Sequence, residues 1–156
     1  MSKSEKEIKT IAKLIEANMK KRHFNNELGL EIETFDNEDG DIPTASFLYS
    51  MKEDHLNNYD ALHGGIVASI FDVAMGLGSA ALTKSMVTTA DMSFSFLHPA
   101  KGREFRIIVE YGHVGKNLVN CSAKLYAIND GDEKDLLCAT ALGNYFVLGM
   151  PLISEA

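Results

Sequence analysis

Hydrophobic and polar residues along this chain follow two different periods, and the changes of period predict its elements. Near the N-terminus, apolar residues recur every three or four positions, which predicts an amphipathic helix over residues 4–22. Ser4 and Glu7 have the spacing of a capping box in front of the first apolar residue of that helix, Ile8. Residues 64–82 form a second, almost wholly apolar stretch whose length suits a buried helix.

Most of the remaining chain alternates with a period of two, which is typical of half-buried strands. Strands are predicted over residues 28–33, 45–51, 87–97, 105–111, 119–127 and 136–148. Short connections join the last four, so we expect these strands to pair antiparallel. One apolar helix against an antiparallel sheet is an α+β architecture. Because the sequence contains no internal repeat and no linker, we expect a single domain over residues 1–156.

Composition and charge restrict the classes of function. The chain has 156 residues, of which 46% are hydrophobic, enough for a real core. Its net charge of −7 argues against binding a nucleic-acid backbone or an anionic membrane surface. Cys121 and Cys138 both lie in apolar stretches and are expected in the core of a cytoplasmic protein. The N-terminal residues have neither the apolar segment of a secretory signal nor the acid-poor composition of a transit peptide.

Asp72 is the residue of greatest chemical interest, because it is the only ionisable side chain between Gly64 and Leu82. An ionised carboxylate is costly to bury without partners, and such groups concentrate at functional sites. The alternative is that Asp72 lies on a narrow solvent-facing stripe of the helix. A carboxylate in the middle also argues against reading residues 64–82 as a membrane span.

The run His63-Gly64-Gly65 stands at the predicted start of that helix. Helix N-termini leave backbone N–H groups unpaired, and glycines expose them to an oxyanion or a polarised carbonyl. A plain loop-to-helix turn is the competing interpretation, in which His63 is a hydrogen-bonded turn residue rather than a base. The histidines and cysteines have no metal-ligand spacing, so no metal site is expected.

These residues together carry a resemblance to a known family. Asn57, the His63-Gly64-Gly65 run, Asp72 and the strand VTTADMSFSFLHPAKG resemble the PaaI-like branch of the hotdog-fold acyl-CoA thioesterases, in the 4-hydroxybenzoyl-CoA thioesterase superfamily. The resemblance covers residues 40–148. It implies an antiparallel sheet wrapped around the long helix, to which this chain adds its N-terminal helix.

The resemblance also implies roles for individual residues. The Gly64 backbone N–H would polarise the thioester carbonyl, Asp72 would act as nucleophile or general base, and Asn57 would line the same site. Thr89 matches a hydroxyl position that helps to hold water. The candidate substrate-contacting positions, several of which would meet the pantetheine arm and phosphates of coenzyme A, are His63, Gly65, Val114, Gly115 and Lys116. The family often has glycine where this chain has Asp60, a residue type that tolerates a left-handed turn.

The activity implied is hydrolysis of acyl-CoA, with no cofactor beyond the coenzyme A of substrate and product. Gly64 and Asp72 would lie ~12 Å apart along one helix, so we expect each site to combine residues of two subunits in a homodimer. The family resemblance implies the same, often with dimers paired into tetramers. Neither nucleic acid nor membrane is expected as a partner.

Two other functions remain open at the level of sequence. The chain could be a hotdog module that binds acyl groups without catalysis, or a hotdog hydratase or dehydratase. The latter chemistry needs a histidine paired with a carboxylate, and the sequence places no such pair. The acyl group is also open between aryl and medium-chain types. Four residues could either line its pocket or belong to the core, namely Phe71, Met75, Met92 and Phe94.

Overall fold

A computed structural model describes residues 1–19, 24–131 and 133–152 of the chain. The helices of this part are α1 (Lys3–Met19), α2 (Phe24–Leu28) and α3 (Gly64–Thr83), with a 3-10 turn at Glu53–His55. The strands are β1 (Glu31–Asp36), β2 (Thr44–Ser50), β3 (Ser85–Phe96), β4 (Glu104–Val114), β5 (Leu118–Ala127) and β6 (Leu136–Pro151). Residues 20–22 of the predicted N-terminal helix lie outside the described residues.

The N-terminal helix begins earlier than predicted, because its capping box lies two residues upstream. Ser2 Oγ accepts a hydrogen bond from the Glu5 N–H at 3.2 Å, and the Ser2 N–H donates to Glu5 Oε2 at 2.8 Å. This is the reciprocal arrangement expected of a capping box. The predicted partners, Ser4 and Glu7, do not cap the helix. Glu7 turns inward instead and accepts a hydrogen bond from Asn37 Nδ2 at 2.9 Å.

The first strand also differs from its prediction over residues 28–33. Leu28 ends α2, and Gly29 follows with a φ of 70°. This left-handed conformation is the usual one just past a helix end, and it favours glycine. Leu28 and Leu30 are buried as the alternation required, but β1 starts only at Glu31. The apolar pattern was therefore correct about burial and wrong about conformation.

The six strands form one antiparallel sheet in the order β1-β2-β4-β5-β6-β3. The predicted antiparallel pairing is confirmed, with one difference of neighbours: β3 pairs with β6 and not with β4, the next strand along the chain. The connection after β3 therefore crosses from the edge of the sheet to its middle. As a result, β3 and β6 lie side by side next to α3.

An irregularity in β3 decides which way Thr89 points. Thr89 is paired with Tyr145, but Asp91 is paired with Asn144, so Ala90 is an extra residue in the strand. Such a bulge reverses the alternation of side chains on either side of it. Simple alternation put Thr89 on the face opposite Met92 and Phe94. The bulge instead brings Thr89 to the inner face, toward α3.

Helix α3 packs against the inner face of the sheet and supplies the centre of the core. Its side chains Ile70, Phe71, Ala74 and Met75 have no exposed surface. By length and composition alone α3 is apolar enough to cross a membrane, and half of that apolar window is buried inside the protein. Phe71 and Met75 are thus core residues, while Phe94 is 40% exposed at the edge strand. Both cysteines are buried and free, as predicted.

Tyr111 of β4 approaches the backbone of α3 at Gly78. Its hydroxyl donates to the Ala74 carbonyl at 3.3 Å, and a Cβ added at Gly78 would lie 1.7 Å from that hydroxyl and 2.2 Å from Cζ. No side-chain rotation of a fully buried ring relieves such an overlap. Gly78 is therefore required by the approach of the tyrosine and not by the conformation of the helix.

We predict that Gly78→Ala destabilises the protein. Alanine normally gains about 1 kcal/mol over glycine inside a helix, but overpacking here costs about 1–3 kcal/mol or more. Gly76→Ala is the matched control, because its added Cβ would lie 3.4 Å from Tyr145 Cε1, an ordinary contact. Denaturant unfolding of both variants checks this. Equal stability of Gly78→Ala and the wild type would contradict it.

Candidate active site

The Asp72 carboxylate lies half-buried on α3, facing the β3–β6 pair. Thr89 Oγ1 donates to Asp72 Oδ1 at 2.6 Å, and the Tyr145 hydroxyl lies 3.0 Å from the same oxygen. Thr89 and Tyr145 are direct cross-strand neighbours, so register and bulge together bring both donors to one point. Among the described residues, none donates a hydrogen bond to Oδ2. Within the described part of the chain, the carboxylate is therefore held through Oδ1 alone.

Tyr145 is the site residue that the sequence did not reveal. Burial and, secondarily, the Asp72 carboxylate raise the pKa of its phenol far above the ordinary value of 10, so the hydroxyl remains a donor. In sequence it is one more aromatic residue in an alternating strand. Only the pairing of β6 with β3, which are distant in the chain, places it beside Asp72. The nearest available signal was that it occupies an inward position of its strand.

The first turn of α3 has one unpaired backbone donor. His63 is the N-cap, with Nδ1 accepting from the Gly65 N–H at 2.9 Å, and its carbonyl accepts from the Ile66 and Val67 N–H groups. No described residue accepts a hydrogen bond from the Gly64 N–H. Of the two roles that the sequence left open for His63, the structure shows the hydrogen-bonded turn residue. Gly64, which is partly buried, is therefore the residue of this turn whose amide has no described acceptor.

Asn57 organises the loop before α3 and lines a cavity with its side chain. Its Oδ1 accepts from the N–H groups of Tyr59 at 2.9 Å and Ala61 at 3.2 Å. Within the described part of the chain, no acceptor is bonded to its Nδ2 group. Asp60 has a φ of 56°, so this position does take the left-handed turn. Aspartate therefore occupies the position without abolishing the loop.

The two groups of candidate residues line different cavities of the single chain. Asn57 and Gly64 line a cavity of about 380 Å³, with Tyr59, Phe96 and His98 at its walls. Asp72 and Thr89 line another, of about 330 Å³, whose other walls include Tyr145, Gly76, Leu77 and Leu14. One subunit does not bring the Gly64 amide and the Asp72 carboxylate together. Of the four residues considered as pocket or core, Phe71, Met75, Met92 and Phe94, none lines either cavity.

The remaining candidates lie in the turn between β4 and β5. Val114 ends β4, Gly115 donates its N–H to the Leu118 carbonyl at 2.9 Å, and Lys116 is exposed. These three residues line neither cavity. Within residues 1–19, 24–131 and 133–152, no cluster of histidine, cysteine or carboxylate side chains could hold a metal ion.

Comparison with known proteins agrees with this fold. The family model of the thioesterase superfamily matches residues 59–134, which include Gly64, Asp72 and Thr89. The chain is 28% identical over 142 residues to the medium/long-chain acyl-CoA thioesterase YigI of Escherichia coli strain K12, covering 80% of this chain and 84% of that protein. The chain is therefore similar to the thioesterase superfamily over residues 59–134. The resemblance to this family, the hotdog fold and the thioester-hydrolase class expected from the sequence are therefore confirmed.

Solved structures share the fold at low sequence identity. A thioesterase family protein from Silicibacter pomeroyi superposes with a TM-score of 0.75 at 24% identity, covering 88% of this chain and 98% of that one. The PaaI protein of E. coli, from the phenylacetic acid degradation operon, has a TM-score of 0.72 at 17% identity, covering 91% and 96%. At these identities the likeness establishes the architecture of the sheet and helix.

The loop that carries Asn57 rests on a tyrosine–histidine contact. The Tyr49 hydroxyl and His55 Nδ1 are 2.5 Å apart, and the two rings stack. The His55 carbonyl accepts from the His63 N–H, which ties this contact to the start of α3. Burial, with Lys52 nearby, lowers the pKa of His55 below its ordinary 6.5. His55 is therefore held as the neutral acceptor that Tyr49 needs.

We predict that the stability supplied by His55 depends on pH. As the pH falls below about 6.5, the unfolded chain protonates this histidine before the folded protein does, so stability falls. His55→Ala should cost about 1–3 kcal/mol at pH 8, where the buried Tyr49 hydroxyl loses its acceptor, and less at pH 5. Urea unfolding of both proteins at the two pH values measures this. A constant difference would contradict it.

Proposed function

We propose that this protein hydrolyses acyl-CoA thioesters, with Asp72 as the reacting carboxylate. The observation that carries the proposal is that Asp72 is anchored through Oδ1 by Thr89 and Tyr145 while Oδ2 has no described donor. A held carboxylate with one available oxygen suits either direct attack or activation of a water. Both routes remain compatible with this geometry. The similarity to a medium/long-chain acyl-CoA thioesterase supports a coenzyme A thioester as substrate.

The Gly64 N–H would supply the second element of the reaction. Attack on a thioester places negative charge on the carbonyl oxygen, and a preorganised N–H donor stabilises that charge. The dipole of α3, a helix of 20 residues, acts in the same direction at its N-terminus. Asn57 lines the same cavity, and its Nδ2 group is available as a further donor. His63 contributes by capping the helix that presents the amide.

The complete site would be assembled between two subunits. Gly64 and Asp72 lie ~12 Å apart along α3, in separate cavities of one chain. A two-fold homodimer would set the Gly64 cavity of one subunit against the Asp72 cavity of the other, twice. Edge strand β3 supports such pairing, because it exposes Phe94 by 40% and Phe96 by 54%, and Leu97 directly after it is 49% exposed. Further pairing into a tetramer is part of the same proposal.

The substrate would extend from this interface in two directions. The exposed turn of Val114, Gly115 and Lys116 is suited to the pantetheine arm and phosphates, with Lys116 as the cation. The acyl group would enter the cavity beside Asp72, which is lined by Leu77, Leu14 and the small residue Gly76. Gly65 stays at the helix start, where its N–H is used by His63. We propose a cytoplasmic enzyme of one domain that needs no separate cofactor.

We predict that Asp72→Asn keeps the fold and loses most turnover. Asparagine is nearly isosteric and still accepts the bonds from Thr89 and Tyr145, while the reacting oxygen is replaced. The measurement is release of free coenzyme A from acetyl-, octanoyl-, palmitoyl- and phenylacetyl-CoA, beside a melting curve. A folded variant with near-wild-type turnover would refute the assigned role of Asp72.

The same assay separates the other functions. Binding of acyl-CoA without release of coenzyme A by the wild type would indicate a non-catalytic module. Hydration of an enoyl-CoA would indicate a hydratase. The described residues lining the Asp72 cavity include no histidine to pair with the carboxylate, which favours the thioesterase over that last function.

We predict that activity returns when two inactive variants share a dimer. Asp72→Asn is combined with Asn57→Asp, which removes the Nδ2 donor but keeps the Oδ1 acceptor that the loop requires. In a mixed dimer with sites built in trans, one site has both wild-type residues and the other has both changes. Differently tagged subunits are co-expressed and the heterodimer is isolated. Heterodimers no more active than either parent would reject the shared site.

A further inference from the structure

Tyr145 contacts Asp72 from within the core, and its buried ring has little freedom to move. The side chain is 1% exposed. Its two edges face glycines: a Cβ placed on Gly76 would lie 3.4 Å from Cε1, and one placed on Gly143 would lie 3.1 Å from Cε2. The ring therefore lies between α3 and its own strand, with ordinary contact distance on the Gly76 side and little spare room on the Gly143 side. The hydroxyl at the end of the ring has a fixed position.

That hydroxyl contacts Asp72 at two atoms. It lies 3.0 Å from Oδ1 and 3.0 Å from the backbone carbonyl oxygen of the same residue. Thr89 Oγ1 donates to Oδ1 as well, at 2.6 Å. Both side-chain donors thus act on the same carboxylate oxygen. Among the residues that the structure describes, Oδ2 has no corresponding donor.

We propose that Tyr145 is a positioning residue that, together with Thr89, fixes the Asp72 carboxylate by Oδ1 and leaves Oδ2 as the reacting oxygen. This inference rests on the proposed thioesterase function. The terminal torsion of an aspartate is broad and nearly two-fold, so a carboxylate with a single anchor can turn. Two donors from neighbouring strands remove that freedom. A reacting oxygen misplaced by about 1 Å costs on the order of 100-fold in rate.

The test compares two tyrosines that differ in what their hydroxyls touch. Tyr145→Phe removes the hydroxyl beside Asp72. Tyr111→Phe is the matched control, because the Tyr111 ring is also 1% exposed and its hydroxyl also donates to a carbonyl of α3, that of Ala74. Each variant loses one buried hydroxyl over the same helix. Only the first loses a contact to the carboxylate.

For Tyr145→Phe we expect kcat with octanoyl-CoA to fall about 10- to 100-fold while KM stays within about twofold. Tyr111→Phe should keep both constants within about twofold. Melting curves for both variants establish the folded fraction at the assay temperature. If the role of Tyr145 were purely structural, the two variants would have equal kinetic constants once the rates are corrected for the folded fraction.

Thr89 provides the second arm of the experiment. Thr89→Ser keeps the hydroxyl and should retain turnover, whereas Thr89→Val removes the hydroxyl and should lower turnover. The double variant Thr89→Val with Tyr145→Phe should approach the activity of Asp72→Asn. Wild-type kcat in folded Tyr145→Phe, with Asp72→Asn inactive, would overturn the positioning role alone. High turnover by Asp72→Asn, or none by the wild type on any acyl-CoA, would overturn the proposed function and this inference with it.

Discussion

The structure depends on one packing constraint, which is that an apolar helix lies inside an antiparallel sheet while buried tyrosines reach its backbone. Tyr111 and Tyr145, from β4 and β6, point at different sides of α3, and each hydroxyl meets a carbonyl of that helix. Each ring passes a glycine of α3, Gly78 or Gly76. The glycines lower the intrinsic propensity of the helix, but burial of its apolar faces more than offsets that loss.

The Tyr145 hydroxyl that contacts the backbone of α3 also contacts the Asp72 carboxylate. A carboxylate in such surroundings needs donors, because an ionised group without partners is costly to bury. Asp72 obtains them from Thr89 and Tyr145, which are neighbours across the β3–β6 ladder. The bulge at Ala90 turns Thr89 inward, and the edge position of β3 keeps that region near the surface. Stability of the core and orientation of the carboxylate thus share the Tyr145 hydroxyl.

The distribution of the candidate residues along α3 is the reason for proposing a site shared between two subunits. The N-terminus of the helix carries an amide with no acceptor among the described residues, and its middle carries the carboxylate, in two separate cavities. A straight helix cannot bring two points a few turns apart onto one small reacting group. The proposed dimer would complete this arrangement by setting a second subunit against edge strand β3, which exposes Phe94 and Phe96.

The sequence by itself determined the features that depend on local pattern. The periods of apolar residues located both long helices and all six strands, and Asp72 and Gly64 stood out because a charge and paired glycines interrupt an apolar run. Local pattern also erred where several local solutions compete. Two serine–glutamate pairs could cap α1, and Gly29 could continue a strand or end a helix, so the boundaries there moved by a few residues.

Only the tertiary structure decided what depends on contacts between distant parts of the chain. The pairing of β3 with β6 places Thr89 opposite Tyr145, which is more than fifty positions later in the chain, and so brings both side chains to Asp72. The inward turn of Thr89 required a bulge that the alternation of β3 concealed. Tyr145 was invisible in sequence because an aromatic residue in a strand is common. Its hydroxyl becomes a candidate site group only because Asp72 Oδ1 lies 3.0 Å away in the folded chain.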